Sequence, residues 1–392
     1  MAAAAAGRRT AGPVTAPLDG LLVADFTRVL AGPLATMTLA DLGAEVVKVE
    51  RPGTGDDTRQ WGPPWTGEAS SYFECVNRSK KSLILDLRSE SDLAVARALV
   101  ARADVLVENF LTGTMDRLGL GYAEVAALNP RLVYCSITGF GSGAGATLPG
   151  YDFVVQAMGG LMSITGEPEG EPTKVGVALV DVLTGKDATI GILAALQERE
   201  RSGDGQRIEV NLLSSLLGAL ANQASSYLTT GAAPARMGNR HPSIAPYETL
   251  RCADGMLALA CGNDGQFARI CAVLERPDLA EDPRFATNPA RVSNRPTLNE
   301  ALEKELKRED VSVWAERLTA VGVAAGAVND LGGALELAER LGLSPTTSVG
   351  VGHPDQVRHP ITWSRSPLRT PTPPPTLGEH STVLRTRLED TP

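Results

Sequence analysis

The sequence predicts an α/β protein with a mostly parallel central sheet and a second, smaller α+β domain. Three observations carry that expectation. From Gly20 onward, short β-rich runs alternate with helical ones; the β-rich runs are almost wholly apolar; and after about Asn211 the texture shifts to a hairpin followed by helices. Strands apolar on both faces belong in a parallel sheet covered on each side by helices. Ligands of such sheets sit at the carboxyl ends of the strands.

Strands are expected at Leu21–Phe26, Glu45–Glu50, Ser82–Leu87, Asp104–Glu108, Leu132–Ile137 and Lys174–Val180. Between them, helical patterns run over Pro33–Leu42, Ser91–Ala103, Tyr122–Leu128 and Thr184–Arg201. Pro33 after Gly32 suits a helix start, and Ser91 can cap the next helix. Tyr247–Cys252 and Met256–Cys261 flank Asp254-Gly255, a turn pair that supplies the positive-φ residue of a tight hairpin. Helices are expected at Gln266–Leu274, Pro296–Leu306 and Ser312–Val321, and a last one at His380–Leu388 after a Pro-rich stretch. The implied layout is a tail over 1–17, a large domain over 18–210, a linker helix over 211–235, a small domain over 236–325, and a segment over 326–392 that returns to the large domain.

Composition narrows the function. The chain has 392 residues, 46 acidic and 37 basic, for a net charge of −9. No basic surplus exists to support a broad nucleic-acid footprint. Cys75, Cys135, Cys252, Cys261 and Cys271 are scattered without CxxC spacing. They form neither a disulfide framework nor a zinc motif, which suits a reducing, cytoplasmic setting. The longest uncharged stretch, between Glu209 and Arg236, is broken by Asn211, Asn222, Gln223 and serines. It reads as a core or interface helix and not as a membrane span. The Ala/Gly/Thr/Pro tract before Pro17 lacks the apolar core of a signal peptide and reads as a disordered tail. Its prolines disfavour a mitochondrial presequence.

Asp181 is the first chemical candidate. It closes the apolar run 175–180 and precedes Thr184-Gly185 and a helix, at the edge where parallel sheets present ligands. The plainer alternative is an N-cap, although Thr184 with Asp187 already resembles a capping box. Arg51, stopped by Pro52-Gly53, projects from the end of another strand and suits a phosphate; a solvated loop arginine is the alternative. Asn109-Phe110 follows a strand at the same edge, whereas Lys80-Lys81 precede one and fall at the opposite end. Gly139–Gly145 is a mobile glycine-rich loop, since Pro149-Gly150 prevents it from opening a helix as a dinucleotide fingerprint must. His241, His353, His359 and His380 share no metal-ligand spacing, and no GxSxG elbow exists. The residues alone define an α/β enzyme with a carboxylate at its active edge.

The ordered motifs go further. Val23-Ala24-Asp25-Phe26-Thr27, Ala31-Gly32-Pro33, the stretch from Leu42 to Gly53, Asn77–Ser82, Val107–Phe110, Asn129–Leu132, Gly150-Tyr151-Asp152, Asp181–Gly185 and Leu377–His380 together resemble the class III CoA-transferases. Formyl-CoA transferase and carnitine CoA-transferase are members, and α-methylacyl-CoA racemase is a relative. The resemblance implies a Rossmann-like large domain, an interlocked homodimer, coenzyme A as substrate, and no metal or other cofactor. It puts Asp181 on the nucleophile, which forms an aspartyl anhydride and then an aspartyl-CoA thioester. Arg51, Lys80, Asn109, Phe110 and Arg117 fall on or near positions that hold CoA, as do Tyr151 and Asp152; Val29, Leu30 and Ala31 fall beside the thioester. Backbone at Gly139–Gly145 and Gly159-Gly160 is expected to shield the anhydride.

Three departures choose among branches. Tyr151 stands where the racemase has histidine, and a phenol is a poor neutral-pH base. Leu30 stands where formyl-CoA transferase has glutamine, and that enzyme's polyglycine loop is missing, which disfavours formate and oxalate exchange. The stretches 238–247 and 262–267 resemble the succinyl-CoA-dependent dicarboxylate branch, with Arg240 and His241 offering charge to a distal carboxylate. The alternatives are that this segment only builds the small domain, that the chain is a racemase, or that it is an inactive CoA-binding homologue.

Overall fold

The computed structural model describes residues 15–67 and 69–389, so the expected tail lies almost wholly outside the described residues. Six strands form one sheet: β1 (Leu22–Phe26), β2 (Glu45–Glu50), β3 (Lys80–Ile84), β4 (Val105–Glu108), β5 (Val133–Thr138) and β6 (Arg207–Asn211). Their order is β3-β2-β1-β4-β5-β6, every pair parallel. Val23 of β1 pairs with Val46 on one side and Val105 on the other. Strand order therefore reverses between β1 and β4. That switch point opens a crevice at the carboxyl ends of these two strands, where Thr27–Ala31 and Asn109-Phe110 emerge.

Helices α1 (Ala31–Asp41), α2 (Glu90–Arg102), α3 (Tyr122–Leu128), α4 (Asp152–Met158), α5 (Leu179–Ser202), α6 (Leu212–Ala219) and α7 (Ala221–Thr230) follow in turn. One face of the sheet buries Phe26, Val47, Leu83 and Leu106 against Leu99 of α2 and Val125 of α3. Leu384 and Leu388 of a C-terminal helix, Ser381–Glu389, complete this core. On the other face α1 packs against α5. Their approach is close because Gly185 carries no side chain: a Cβ there would sit 2.7 Å from the Ala31 carbonyl oxygen. This contact brings the start of α5 to the start of α1.

The chain divides into two compact units. The first takes the described residues through Gly159, Val175–Ser225, and those from Ser344 on; the second takes Gly160–Lys174 and Ser226–Leu343. The C-terminal segment is stitched into the first unit by Arg369 N–H to Asp41 O, by Arg59 Nη2 to Pro375 O (3.1 Å) and by Arg78, which forks onto Asp41 and reaches Val357 O. The second unit has an antiparallel sheet of Tyr247–Arg251, Met256–Ala260 and Ala324–Ala327. Its core joins Leu250 and Leu257 to Phe267, Leu298, Trp314 and Leu318. Fully buried Arg291 donates to Ala245 O, Phe285 O and Asp264 there.

Several expectations are corrected. Lys174–Val180 is not a strand: it is irregular, Val177 is 60% exposed, and Gly176 interrupts it. The sixth strand is β6, whose Arg207, Glu209 and Asn211 disguise an edge strand. Helix α5 accordingly starts at Leu179 and not at Thr184, so Asp181 lies in its first turn. Strand β3 begins at Lys80 because the Lys80 charge is neutralised inside the sheet, as described below. Helix α1 starts two residues before Pro33, and the residue at the head of α2 is Ser89 in place of Ser91. Gly255 does not adopt positive φ, since the Cys252 N–H to Gly255 O bond closes a longer turn. The 211–235 helix is two helices, α6 and α7, meeting at Ala221 with φ +40°.

Candidate active site

A cavity of about 330 Å³ occupies the switch-point crevice. Its wall is built from 28–31, 109–112, 137–141 and 148–151, with Asp181 at one side. The structure thus brings together Val29, Leu30, Ala31, Asn109, Phe110, Tyr151 and Asp181. Asp152 stands just behind. Its Oδ1 accepts the Val180 N–H (2.7 Å) and the Asp181 N–H (3.2 Å), and its Oδ2 accepts from Gln156 Nε2 (2.6 Å). Gln156, fully buried on α4, also takes the Val175 N–H on Oε1 (2.9 Å). Asp152 therefore caps α5 from another helix, because Ala178 at the N-cap offers no side chain for the task. Thr184 does not form the capping box; its hydroxyl donates back to Val180 O (2.8 Å).

Among the described residues, no side-chain donor reaches the Asp181 carboxylate. Burial, reinforced by the Asp152 charge, pushes its pKa up to about 7. The neighbouring surface is apolar: Leu30, Met37 and Val76, with Val29, Leu34, Tyr72, Ala178 and Val182 packed on them. Burial and then the Asp181 charge push the Tyr72 phenol up to about 12, so it stays protonated.

A second cavity, about 410 Å³, shares Arg28 and Phe110 with the first and is lined by Lys48, Arg51 and Arg88. Arg28 lies over the Phe110 ring at 5.5 Å. Arg28 and Arg51 both pair with Asp57, and Arg51 Nε donates to Thr54 Oγ1 (2.7 Å). Arg88 is braced by Asp86 through Nε and Nη2. The sequence reading missed Arg28, Arg88 and Gln156. For Arg88 the signal was present: like Arg51, it follows the carboxyl end of a strand.

Other expected residues lie elsewhere. Lys80 is fully buried, its ammonium donating to Asp25 Oδ2 (3.1 Å), Pro33 O (3.0 Å) and Asn77 Oδ1 (3.0 Å). Burial pulls its pKa down to about 8 despite Asp25. With all three donors used in the core, it reaches neither cavity. Arg117 is exposed on the short helix Thr114–Arg117, donates to Thr114 Oγ1 (2.9 Å) and lines neither cavity. Arg240 and His241 belong to the second unit: Arg240 Nε donates to Met237 O (3.1 Å), and the His241 ring leans on Tyr247 at 5.0 Å. The 139–150 loop is closed by two glycines, since a Cβ on Gly139 would lie 2.4 Å from the Gly150 Cα.

A sheet in Rossmann order thus sets a carboxylate at its switch-point crevice, the place where α/β proteins of this class bind their ligands. The family model "CoA-transferase family III" matches residues 18–381, and the chain belongs to that family. It is similar to the succinate–glutarate CoA-transferase of Agrobacterium fabrum, 44% identical over 95% of this chain and 96% of the relative. The acetyl-CoA:oxalate CoA-transferase of Acetobacter aceti is 46% identical over 82% and 83%, and the human succinyl-CoA:glutarate CoA-transferase 40% over 94% and 85%. A CAIB/BAIF family protein from Brucella suis superposes with a TM-score of 0.87 at 46% identity, covering 96% of this chain and 100% of that one. No helix among the described residues is long and apolar enough to cross a membrane.

Proposed function

We propose that this enzyme moves CoA from an acyl-CoA, succinyl-CoA first among donors, to a dicarboxylic acid through covalent intermediates on Asp181. The observation that carries the reading is the Asp181 carboxylate itself: fixed by the capped turn of α5, open to the cavity, and free of side-chain donors that would lower its nucleophilicity. The nucleotide end of CoA is assigned to the second cavity, where Arg28, Arg51 and Arg88 meet its phosphates beside Phe110. The shared residues then lead the thioester into the first cavity.

Asp181 attacks the thioester carbonyl, the C–S bond breaks, and an aspartyl acyl anhydride and CoA thiolate result. The thiolate attacks the aspartyl carbonyl, giving an aspartyl-CoA thioester and releasing the donor acid. The acceptor carboxylate repeats the two steps in reverse. The anhydride and then the aspartyl-CoA thioester each hold an activated carboxyl carbon, so the energy of the donor thioester is conserved and no outside energy source enters. The glycine-rich wall at 139–150 supports the reading by keeping water from the anhydride. The relatives are named for succinate, glutarate and oxalate, so the acceptor panel must include oxalate although Leu30 disfavours it. The reading also carries an interlocked homodimer, a cytoplasmic location, and no metal or cofactor beyond CoA as substrate.

Incubation with succinyl-CoA and no acceptor, followed by hydroxylamine and peptide mapping, should yield a hydroxamate on Asp181. Asp181→Ala should lose adduct and turnover, a fall on the order of a thousandfold. A label on Asp152, Asp187 or Glu167 would overturn the assignment. Transfer without any label would mean direct exchange in a ternary complex.

A further inference from the structure

Val29 stands in the cavity wall with φ +72°, the left-handed region in which a β-branched residue is an outlier. Such backbone persists only where its surroundings over-determine it, and it gathers at working sites. The surroundings here are specific. Asn109, arriving from the end of β4, accepts the Arg28 N–H on Oδ1 (2.9 Å) and donates Nδ2 to Arg28 O (2.7 Å). Asp56 Oδ1 accepts the Val29 N–H (3.3 Å) and is steadied by the Thr58 hydroxyl (2.8 Å). Lys48, fully buried on β2, joins the two sides: its ammonium meets Asp56 Oδ2 (2.8 Å) and donates to Thr27 O (2.9 Å). The turn is also tight, since a Cβ on Gly32 would lie 2.4 Å from the Thr27 Cβ.

Lys48 from β2, Asp56 from the loop after it and Asn109 from the end of β4 thus grip the two consecutive peptide units that lead into Val29. We propose that Asn109 and the Lys48–Asp56 pair are positioning residues that hold Val29 left-handed, so that residues 29–31 form the wall facing Asp181. The inference rests on the transfer chemistry proposed above and deepens it. It gives Asn109 a task other than contact with CoA, because both ends of its amide are engaged with Arg28. Released from this grip, Val29 would relax toward negative φ and carry Leu30 and Ala31 with it. A displacement of about 1 Å in a wall that orients reacting atoms costs on the order of a hundredfold in rate, and loss of Asn109 alone, with Asp56 and Lys48 still holding, releases only part of it.

The test is rescue by conformation. Asn109→Ala should lower kcat for CoA transfer about tenfold while changing KM for the acyl-CoA by less than about threefold, the pattern of lost orientation and not lost affinity. Glycine enters positive φ without steric cost, and asparagine more readily than most residues. In a Val29→Gly or Val29→Asn background the same Asn109→Ala change should therefore cost only about twofold. In a Val29→Ala background, which removes bulk but not strain, the full loss should remain. Should Asn109→Ala fail to fold, Asn109→Asp, which keeps the acceptor for the Arg28 N–H, carries the same series. A rise in KM with kcat unchanged, alike in all backgrounds, would make Asn109 a CoA ligand and overturn the proposal. Hydrogen exchange of the Arg28 and Val29 amides separates the two readings. It should quicken in Asn109→Ala without any substrate present, and unchanged exchange would overturn the positioning role. Absence of transfer by the unaltered enzyme would instead sink the proposed function.

Discussion

Replacing Asp152 by Asn removes a negative charge from beside Asp181 while leaving an oxygen to accept the Val180 and Asp181 N–H groups. The cap of α5 survives, and burial, the larger cause of the raised Asp181 pKa, is untouched. The repulsion between carboxylates is lost, together with the acceptor for Gln156 Nε2 behind it. If Asp181 is the nucleophile proposed above, it attacks as a carboxylate, so in the unaltered enzyme kcat/KM for the acyl-CoA should fall as pH drops below about 7. At pH 6 a group titrating at about 7 is ionised in roughly one molecule in eleven. Each unit by which the substitution lowers that titration reflects 1.36 kcal/mol of relieved repulsion, and the first brings the ionised share at pH 6 to about one in two. A one-unit change would thus raise kcat/KM at pH 6, relative to the high-pH plateau, about fivefold. The assay is initial-rate CoA transfer between pH 5 and 9 under subsaturating acyl-CoA, with both proteins in the same buffers. Tyr72, which also faces Asp181, titrates far above this limb. Superimposable acid limbs for the two proteins would refute the electrostatic reasoning, and a limb of the unaltered enzyme near the ordinary carboxylate value would refute the raised titration of Asp181.

The same raised titration has a signature in stability. An acid whose folded pKa exceeds its unfolded one stabilises the fold below the unfolded value, and that contribution is lost as pH rises through the folded one. Between the ordinary 3.8 and about 7 the loss amounts to roughly 4 kcal/mol at most. Asp181→Asn should therefore melt above the unaltered protein at pH 8, with the gap closing near pH 4; thermal unfolding at both pH values checks this, and equal melting at pH 8 would contradict it. Arg51→Ala should raise KM for the acyl-CoA about tenfold or more with kcat little changed, a charge-assisted phosphate bond contributing about 1.5–3 kcal/mol. An unchanged KM would leave Arg51 as a brace for Asp57 alone.

The sequence carried the architecture best where burial is uniform. Val105–Glu108 announces itself because both faces of that strand are covered, and Glu45–Glu50 does so through its valines although Lys48 and Glu50 are buried there against charged partners. Arg207–Asn211 is an edge strand with one side half in water, and its charges break the apolar pattern that marks the other strands. The apolar run before Asp181 did the reverse, imitating a strand while being irregular and only partly buried. Asp181 was placed at the ligand edge of the sheet by a sound rule applied to the wrong element: the helix whose first turn holds it, and not a strand it ends, delivers it to the crevice. Lys80 was misjudged because nothing local says that Asp25, 55 residues earlier, waits for it inside the sheet. The supports of the site were equally hidden. Asp152 caps a turn 28 residues downstream and Asn109 grips one 81 residues upstream, pairings that exist only once the sheet has assembled.

The return of the C-terminal segment bears on how the protein is made. Leu384 and Leu388 sit in the core formed by β1, β3 and α2, and Arg385 fastens their helix through Ile84 O and Asp92. Residues 344–389 are thus synthesised after everything they cover. On the ribosome the sheet can pair and bury one face, but the hollow that receives this helix stays open while the whole second unit is being translated. For that interval the first unit displays apolar surface around Leu83, Leu85 and Leu99, the condition in which partly made chains associate wrongly. Closure across such sequence distances is also slow. Production yield in cells should therefore respond more to holdase chaperones and to slowed translation than to changes within the second unit, whose chain is continuous from Ser226 to Leu343 apart from the short Gly160–Lys174 piece.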